Sequence, residues 1–230
     1  MMDTLMSPHS LNAIIAGASG LVGTELLHQL LDHPRFNNIY ALTRRPLPFH
    51  SKRLHQIIDS QLRIIAWENE QPVPEYGFIC LGTTKKKAGS NQALEEIDVD
   101  LVKNVAITMK NIGVKHLIVI SSLGACKHSP SHYLRCKGKM EQALTALAFE
   151  HCVFVRPGPL KGERNKPRKD ELAIQRIFET IHPMMIGPLK HFTPIPAEAV
   201  ATSMVKIAIS CDKHHLQPIT IISGHHLRSI

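Results

Sequence analysis

Short apolar runs alternate with amphipathic stretches along most of the first 156 residues of this 230-residue chain. The apolar runs predict strands at residues 12–16, 38–42, 54–58, 76–81, 116–120 and 152–155. Helical spacing of apolar residues predicts helices at residues 24–32, 91–111 and 133–149. This alternation predicts an α/β fold, a doubly wound parallel sheet with helices on both faces.

Local signals define the ends of two predicted helices. The first helix is expected to end before Pro34, because the residue before a proline disfavours helical geometry. Ser90 is expected to cap the helix at residues 91–111, and Gly113 lies just past its other end.

The pattern changes after residue 156, where prolines interrupt the chain repeatedly. Between them we predict helices at residues 169–182 and 197–210 and a late strand at residues 219–222. Residues 12–230 are therefore predicted to form a single domain, in which residues 157–230 contribute a small lid over the edge of the sheet where a substrate would bind. Residues 1–11 are expected to be a loose N-terminal leader.

The composition is that of a soluble globular protein, with 43% hydrophobic and 20% charged residues. No apolar run approaches the ~18 residues that a membrane span needs, and the N-terminus lacks a secretory signal pattern. The five cysteines form no CxxC pair, which favours free thiols, with Cys80 and Cys152 in apolar, strand-like runs. We therefore expect a cytoplasmic protein with no membrane partner.

Basic and metal-binding residue types are dispersed. The net charge is +8, but the basic clusters at residues 44–45, 85–87 and 161–169 are loop-like, and no nucleic-acid-binding motif accompanies them. A cofactor or substrate with several phosphates explains this charge equally well, so we expect no nucleic-acid partner. The 15 histidines form no HExxH motif. We expect no metal site, because convergent ligands at helical spacing are missing.

Gly17, Gly20 and Gly23 lie between the first predicted strand and the first predicted helix. Glycines here permit a tight turn and the close approach of a pyrophosphate, which the helix N-terminus favours. The spacing is GxxGxxG, and its place in the first β-α-β unit predicts a dinucleotide site rather than packing glycines alone. The other predicted cofactor contacts on this turn are Ser19, Leu21 and Val22.

Arg44 and Arg45 follow the second predicted strand, roughly twenty residues after the glycines. An NAD site has an acidic residue here that binds the ribose 2′-hydroxyl, whereas arginine pairs with a 2′-phosphate. NADP(H) is therefore predicted in preference to NAD(H). A solvated loop is the alternative interpretation of the two arginines.

Several motifs together resemble the short-chain dehydrogenase/reductase superfamily. Besides the glycine turn and the arginines, the chain reads FICLGTTKKKAG at 78–89, VISSLGA at 119–125, YLRCKGKME at 133–141 and VRPGPLKGER at 155–164. These stretches are similar to the atypical branch that includes the HIV Tat-interacting oxidoreductase-like NAD(P)-binding proteins. The similarity runs from residue 14 to residue 164, and GTTxxxAG is its most specific part.

The resemblance implies NADPH in the cleft of a Rossmann fold, with Ser122, Tyr133 and Lys137 as the catalytic residues. Tyr133 and Lys137 would also contact the cofactor, and Ser121 is the neighbour that could serve instead of Ser122. Asp59 would lie beside the adenine. The other implied cofactor contacts are Leu81, Gly82 and Thr83 along the ribose, and Arg156, Pro157 and Gly158 near the nicotinamide.

The resemblance leaves open the roles of an asparagine and of a cysteine. Many relatives carry an asparagine on the long helix in a proton relay, and Asn104 and Asn111 are the candidates here. Cys136, between Tyr133 and Lys137, is expected to be a packed helix cysteine rather than a redox-sensitive thiol.

The chemistry of Tyr133 and Lys137 agrees with the resemblance, although their spacing alone is a weak signal. Residues at positions i and i+4 share one helix face, and a cation beside a phenol favours the phenolate, as a general acid or base requires. A serine hydroxyl at the end of the strand at 116–120 can stabilise the oxyanion of a substrate carbonyl.

These observations favour an NADPH-dependent oxidoreductase that reduces a carbonyl in a small or medium-sized substrate. The alternative from another class is an NADPH-binding, redox-sensing regulatory or scaffolding protein with a protein partner and little turnover. An isomerase or epimerase acting on a nucleotide-sugar would use the same residues, but it needs a larger lid. We expect a monomer or a weak homodimer.

Overall fold

The computed structural model describes residues 10–68, 70–161, 194–211, 217–224 and 226–229. Its strands are β1 (Leu11–Ala16), β2 (Phe36–Thr43), β3 (Leu54–Ile58), β4 (Tyr76–Ile79), β5 (His116–Ile120), β6 (His151–Arg156), β7 (Leu160–Lys161), β8 (Ile195–Pro196) and β9 (Ile219–Ser223). Its helices are α1 (Leu21–Asp32), α2 (Lys85–Ala88), α3 (Asn91–Glu95), a π-helix (Glu96–Leu101), α4 (Val102–Asn111), α5 (His132–Thr145), α6 (Ala197–Cys211) and α7 (His226–Ser229).

Seven of these strands form one sheet in the order β3-β2-β1-β4-β5-β6-β9. Every neighbouring pair in the sheet is parallel. Strands β7 and β8 form a separate two-residue pairing. The predicted α/β fold with a Rossmann-type doubly wound parallel sheet is confirmed.

Both faces of the sheet are covered, as the near-continuous apolar strands require. Along β1, Ala13 and Ile15 pack in a core cluster with residues of α1 and α6, while Ile14 and Ala16 pack with residues of α4 and α5 on the opposite face. The alternation follows from the two-residue period of a strand.

Most predicted elements occur within a few residues of their expected ends. The Ser90 cap is confirmed, because its Oγ accepts a hydrogen bond from the Ala93 nitrogen at 3.0 Å. The predicted helix at residues 91–111 is interrupted by the π-helix, which sequence periodicity did not reveal. The helix predicted to reach residue 149 ends at Thr145, and Ala148 adopts a left-handed φ of 53°.

The C-terminal part of the chain contributes to the main sheet. The predicted helix at 197–210 is α6, and the predicted strand at 219–222 is β9, which pairs with β6 at the sheet edge. The predicted helix at residues 169–182, most of the expected lid and most of the expected leader lie outside the described residues. Among the helices that the structure describes, none has the length and apolar character to cross a membrane.

Candidate cofactor and catalytic site

The order of the strands reverses between β1 and β4, and the glycine turn lies at the carboxyl ends of these strands. Gly17 has a φ of 91°, and a Cβ atom there would lie 2.7 Å from the Cys80 carbonyl carbon and 2.9 Å from the Leu81 nitrogen. Only glycine therefore permits this approach of the two loops. A crevice at such a reversal is the usual ligand site of a doubly wound sheet.

The rest of the turn brings the N-terminus of α1 to this crevice. The Gly20 nitrogen donates a hydrogen bond to the Gly17 oxygen at 2.9 Å, and a Cβ on Gly23 would overlap that same oxygen. Gly20 caps α1 without a side-chain hydrogen bond, and the first turn of α1 has no acidic residue. The first N–H groups of the helix can therefore receive a pyrophosphate. Ser19, a predicted cofactor contact on this turn, is exposed to solvent.

Arg44 and Arg45 lie just beyond β2, and both are exposed. The Thr43 hydroxyl donates a hydrogen bond to the Arg45 oxygen at 2.8 Å, which orders this short turn. Within the described part of the chain, neither guanidinium has a carboxylate or hydrogen-bond partner. Both are free to pair with an anionic group of a ligand.

Asp59 follows β3 and is held by its own loop. Its Oδ1 accepts hydrogen bonds from the backbone nitrogens of Gln61 and Arg63, both at 2.9 Å. These bonds, the one from the Arg63 backbone above all, together with the Arg63 side chain, keep the pKa of Asp59 below its usual range. The Asp59 nitrogen bonds the Thr43 oxygen at 3.0 Å, so the ends of β2 and β3 are joined. Its charge is largely committed within the protein.

The loop after β4 places Gly82 beside Lys137. A Cβ on Gly82 would lie 3.5 Å from the Lys137 Nζ and 3.2 Å from the Asp98 Oδ1. Lys137 and Asp98 form an ion pair of 3.0 Å, and their side chains are only 3% and 0% exposed. The predicted cofactor loop and the predicted catalytic lysine are thus brought together.

The two serines after β5 have different environments. The Ser121 hydroxyl is buried and donates a 2.5 Å hydrogen bond to Glu141 Oε1. Ser122 is half-buried, and among the described residues its hydroxyl makes only a 3.4 Å contact with the Leu123 oxygen. This geometry favours Ser122 over Ser121 as the hydroxyl that can meet a ligand.

Glu141 is a buried residue that sequence reasoning missed. Besides Ser121, it binds Arg156 through Oε1 at 2.9 Å from Nε and Oε2 at 2.5 Å from Nη2. The hydrogen bond that Arg156 donates to the Glu141 carboxylate is the main cause that raises the pKa of Arg156. The Arg156 side chain is therefore directed toward α5. The next residue, Pro157, contacts the serine loop, because its oxygen accepts a 2.9 Å hydrogen bond from the Leu123 nitrogen.

Tyr133 lies in the first turn of α5, one turn before Lys137. Its side chain is 36% exposed, and its hydroxyl makes no hydrogen bond to the described residues. The loop from Ser122 is attached to the same helix, because the Cys126 nitrogen donates to the Leu134 oxygen at 3.2 Å. Tyr133 and Lys137 therefore share α5 with the docking point of the serine loop.

Gly138 makes this docking possible, and sequence reasoning missed it. A Cβ on Gly138 would overlap the Lys127 nitrogen and the Cys126 carbonyl carbon, and would lie 2.8 Å from the Cys126 Cα. A glycine in a helix interior is unfavourable by about 0.5–1 kcal/mol relative to alanine, so its presence in YLRCKGKME was the available signal.

The two asparagine candidates for a proton relay lie on the surface of the protein. Asn104 and Asn111 are both exposed on α4. The residue of the long helical segment that contacts Lys137 is Asp98, which the π-helix carries.

The expectation that metal ligands at helical spacing are missing was wrong. The ligand atoms of Glu95, His132 and Cys136 lie within 4.8 Å of one another. Glu95 is already paired with Lys139 at 2.5 Å, and Arg135 lies 3.2 Å from the His132 Nδ1. These cations oppose a bound cation, so the cluster is satisfied by the protein itself. Burial raises the pKa of the Cys136 thiol, which agrees with a packed helix cysteine.

Together the residues at this edge of the sheet fit a nicotinamide dinucleotide. The α1 N–H groups can receive the pyrophosphate, the exposed Gly82 allows close backbone approach, and the arginine side chains after β2 have no partner in the part of the chain that the structure describes. Lys137, in the second turn of α5, lies beside the loop that follows β4.

Curated relatives of similar length match most of the chain. A family model described as HIM1 matches residues 77–185. Protein FMP52, mitochondrial, of Eremothecium gossypii is 31% identical over 210 residues, which cover 88% of this chain and 91% of that protein. The FMP52 protein of Kluyveromyces lactis is 35% identical over 225 residues, covering 94% and 97% of the two chains.

Solved structures of low sequence identity share the fold. MoeE5 in complex with UDP-glucose and NAD has a TM-score of 0.63 and 16% identity, covering 95% of this chain and 80% of that one. A short chain dehydrogenase family protein from Francisella tularensis has a TM-score of 0.60 and 12% identity, covering 95% and 99%. The predicted resemblance to the short-chain dehydrogenase/reductase superfamily is thus confirmed in the fold.

The expected cytoplasmic location is wrong. The relatives from Eremothecium gossypii, Debaryomyces hansenii, Saccharomyces cerevisiae and Emericella nidulans are all named as mitochondrial proteins. The expectation rested on the lack of a secretory signal, and a mitochondrial address follows a different sequence pattern.

Proposed function

The chain belongs to the FMP52 family, and from this premise we propose that it is a mitochondrial, NADPH-dependent oxidoreductase that reduces a carbonyl substrate. The observation that carries the proposal is the position of Lys137, buried against the loop after β4 and one helical turn from the half-exposed Tyr133. Bound NADPH would supply the hydride. The protein supplies binding, orientation and the proton.

The glycine turn, the two arginines and the three predicted catalytic residues each have a role in this proposal. The turn from Gly17 to Gly23 holds the pyrophosphate, and Arg44 with Arg45 pairs with the 2′-phosphate. The Tyr133 hydroxyl donates a proton to the carbonyl oxygen, and the Lys137 ammonium stabilises the phenolate that remains. The Ser122 hydroxyl donates a hydrogen bond to the same carbonyl oxygen as negative charge develops there.

Replacing Tyr133 with phenylalanine should abolish turnover while NADPH stays bound. A general acid contributes about 10²–10⁴-fold to a rate, so we expect at least a 100-fold loss. NADPH oxidation with a panel of aldehydes, ketones and quinones measures the rate, and quenching of protein fluorescence measures NADPH binding.

Tyr40→Phe is the matched control, because it removes the same atom from a buried β2 residue that packs on His55 and Trp67. It should retain turnover. Undiminished turnover in Tyr133→Phe would remove this hydroxyl from the mechanism. Tight NADPH binding without turnover on any substrate would favour the redox-sensing alternative.

Changing Arg44 and Arg45 together to alanine should weaken NADPH binding about 30-fold, because two charge-assisted contacts to the 2′-phosphate are lost. NADH binding should change less than about threefold, since NADH lacks that phosphate. Dissociation constants from isothermal titration calorimetry test this difference.

Lys115→Ala controls for the loss of positive charge, because Lys115 precedes β5 at the opposite edge of the sheet and is exposed. It should leave both dissociation constants unchanged. An equal loss for NADPH and NADH in the arginine variant would show that the arginines do not recognise the phosphate.

A further inference from the structure

Asp98 and Lys137 form an isolated, buried pair of opposite charges. The Lys137 Nζ lies 3.0 Å from the Asp98 Oδ1, and the Asp98 side chain is fully buried. Neither carboxylate oxygen of Asp98 receives a well-directed hydrogen bond from the described residues. Its interaction with the protein is therefore chiefly the charge of Lys137.

Two other carboxylates on the neighbouring helices already have cationic partners. Glu95 of α3 is bound to Lys139, and Glu141 of α5 is bound to Arg156. Loss of Asp98 would therefore leave one uncompensated positive charge beside Gly82.

The backbone brings this carboxylate to the cofactor loop. Asp98 lies in the π-helix, a rare geometry that often marks functional positions. A Cβ on Gly82 would lie 3.2 Å from its Oδ1, so the pair borders the loop directly. Asp100, on the same turn, is exposed to solvent.

The charge at this position matters because the nicotinamide ring is cationic in NADP⁺ and neutral in NADPH. A lone lysine near the ring would disfavour the oxidised form, and a lone aspartate would favour it. We infer that Asp98, by neutralising Lys137, sets the relative affinity of the site for oxidised and reduced cofactor. This inference rests on the proposed function, in which Tyr133 and Lys137 act beside the carbonyl that receives the hydride, and therefore beside the nicotinamide ring that delivers it.

The test compares the dissociation constants of NADP⁺ and NADPH for the full-length wild type, Asp98→Asn, Lys137→Gln and the double variant. Asp98→Asn should raise the ratio of the NADP⁺ to the NADPH constant about tenfold, and Lys137→Gln should lower it by a similar factor. The double variant should return the ratio to near the wild-type value, because both charges are gone.

Conditions and controls isolate the charge effect. All variants are measured against wild type at one pH and one ionic strength, because salt screens interactions between charges. Asp100→Asn removes the same charge from the exposed side of the same turn and should leave the ratio unchanged. If Asp98→Asn does not fold, Lys137→Gln should still lower the ratio of the two dissociation constants, and the double variant should still restore it.

The outcomes separate two failures. Weaker binding of both forms by the same factor in each single variant would overturn the inference and leave Asp98 as a structural residue. A wild type that binds neither NADP⁺ nor NADPH would instead overturn the proposed function.

Discussion

Gly138→Ala is expected to lower the free energy of unfolding by about 3 kcal/mol, because the new methyl group would collide with the backbone of Cys126 and Lys127. Helix propensity alone predicts the opposite sign, a gain of up to about 1 kcal/mol. The serine loop should also separate from α5, so turnover should fall with stability. Urea unfolding followed by circular dichroism measures the free energy.

Gly89→Ala is an informative comparison, because Gly89 has a φ of 89° but no atom within 4 Å of an added Cβ. That variant tests backbone strain without collision, and it should lose about 1 kcal/mol. A Gly138→Ala protein as stable as wild type would show that the loop does not dock closely on α5.

Glu141→Gln should destabilise the protein by about 3 kcal/mol, the second large effect. The substitution leaves the Arg156 guanidinium with a neutral partner in a mostly buried position, and unpaired buried charges are strongly unfavourable. Ser121 also loses the carboxylate that accepts the hydrogen bond from its hydroxyl. The same urea titration measures the change.

Lys139→Gln is the matched control for Glu141→Gln. It breaks the Lys139–Glu95 ion pair of 2.5 Å on the same helix, but these side chains are 45% and 34% exposed. Exposed pairs contribute less than about 1 kcal/mol, so this variant should stay close to wild type. If the two variants lost equal stability, burial would not explain the role of Glu141.

The central sheet could be predicted because its signals are local. Each strand is a short apolar run, and the glycines at the end of β1 have a conformational need that the sequence shows directly. The short α2 helix was missed, because three successive lysines at 85–87 resemble a solvated loop. Strand β5 is buried on both faces, so its pattern could not show which of Ser121 and Ser122 faces the core.

The buried ion pairs of Lys137 and of Glu141 could not be predicted, for a different reason. Asp98 lies 39 positions earlier in the chain and reaches Lys137 through a π-helix, which has no sequence period that a search for helical spacing detects. Glu141 is a charged residue on an amphipathic helix, which the sequence alone would assign to the surface. In the structure it is buried, and it pairs with Arg156 at the end of β6. Ion pairs between residues far apart in the sequence follow from the tertiary fold rather than from a local pattern.

Tyr133, Lys137 and Glu141 are spaced four residues apart along α5. With a rise of 1.5 Å per residue, about 12 Å of helix axis separates the first from the last. A helix resists compression, so the position of the Tyr133 phenol is coupled along α5 to the Glu141 carboxylate as well as to the serine loop that docks on the same helix. A carboxylate two helical turns away therefore helps to set the alignment of that phenol.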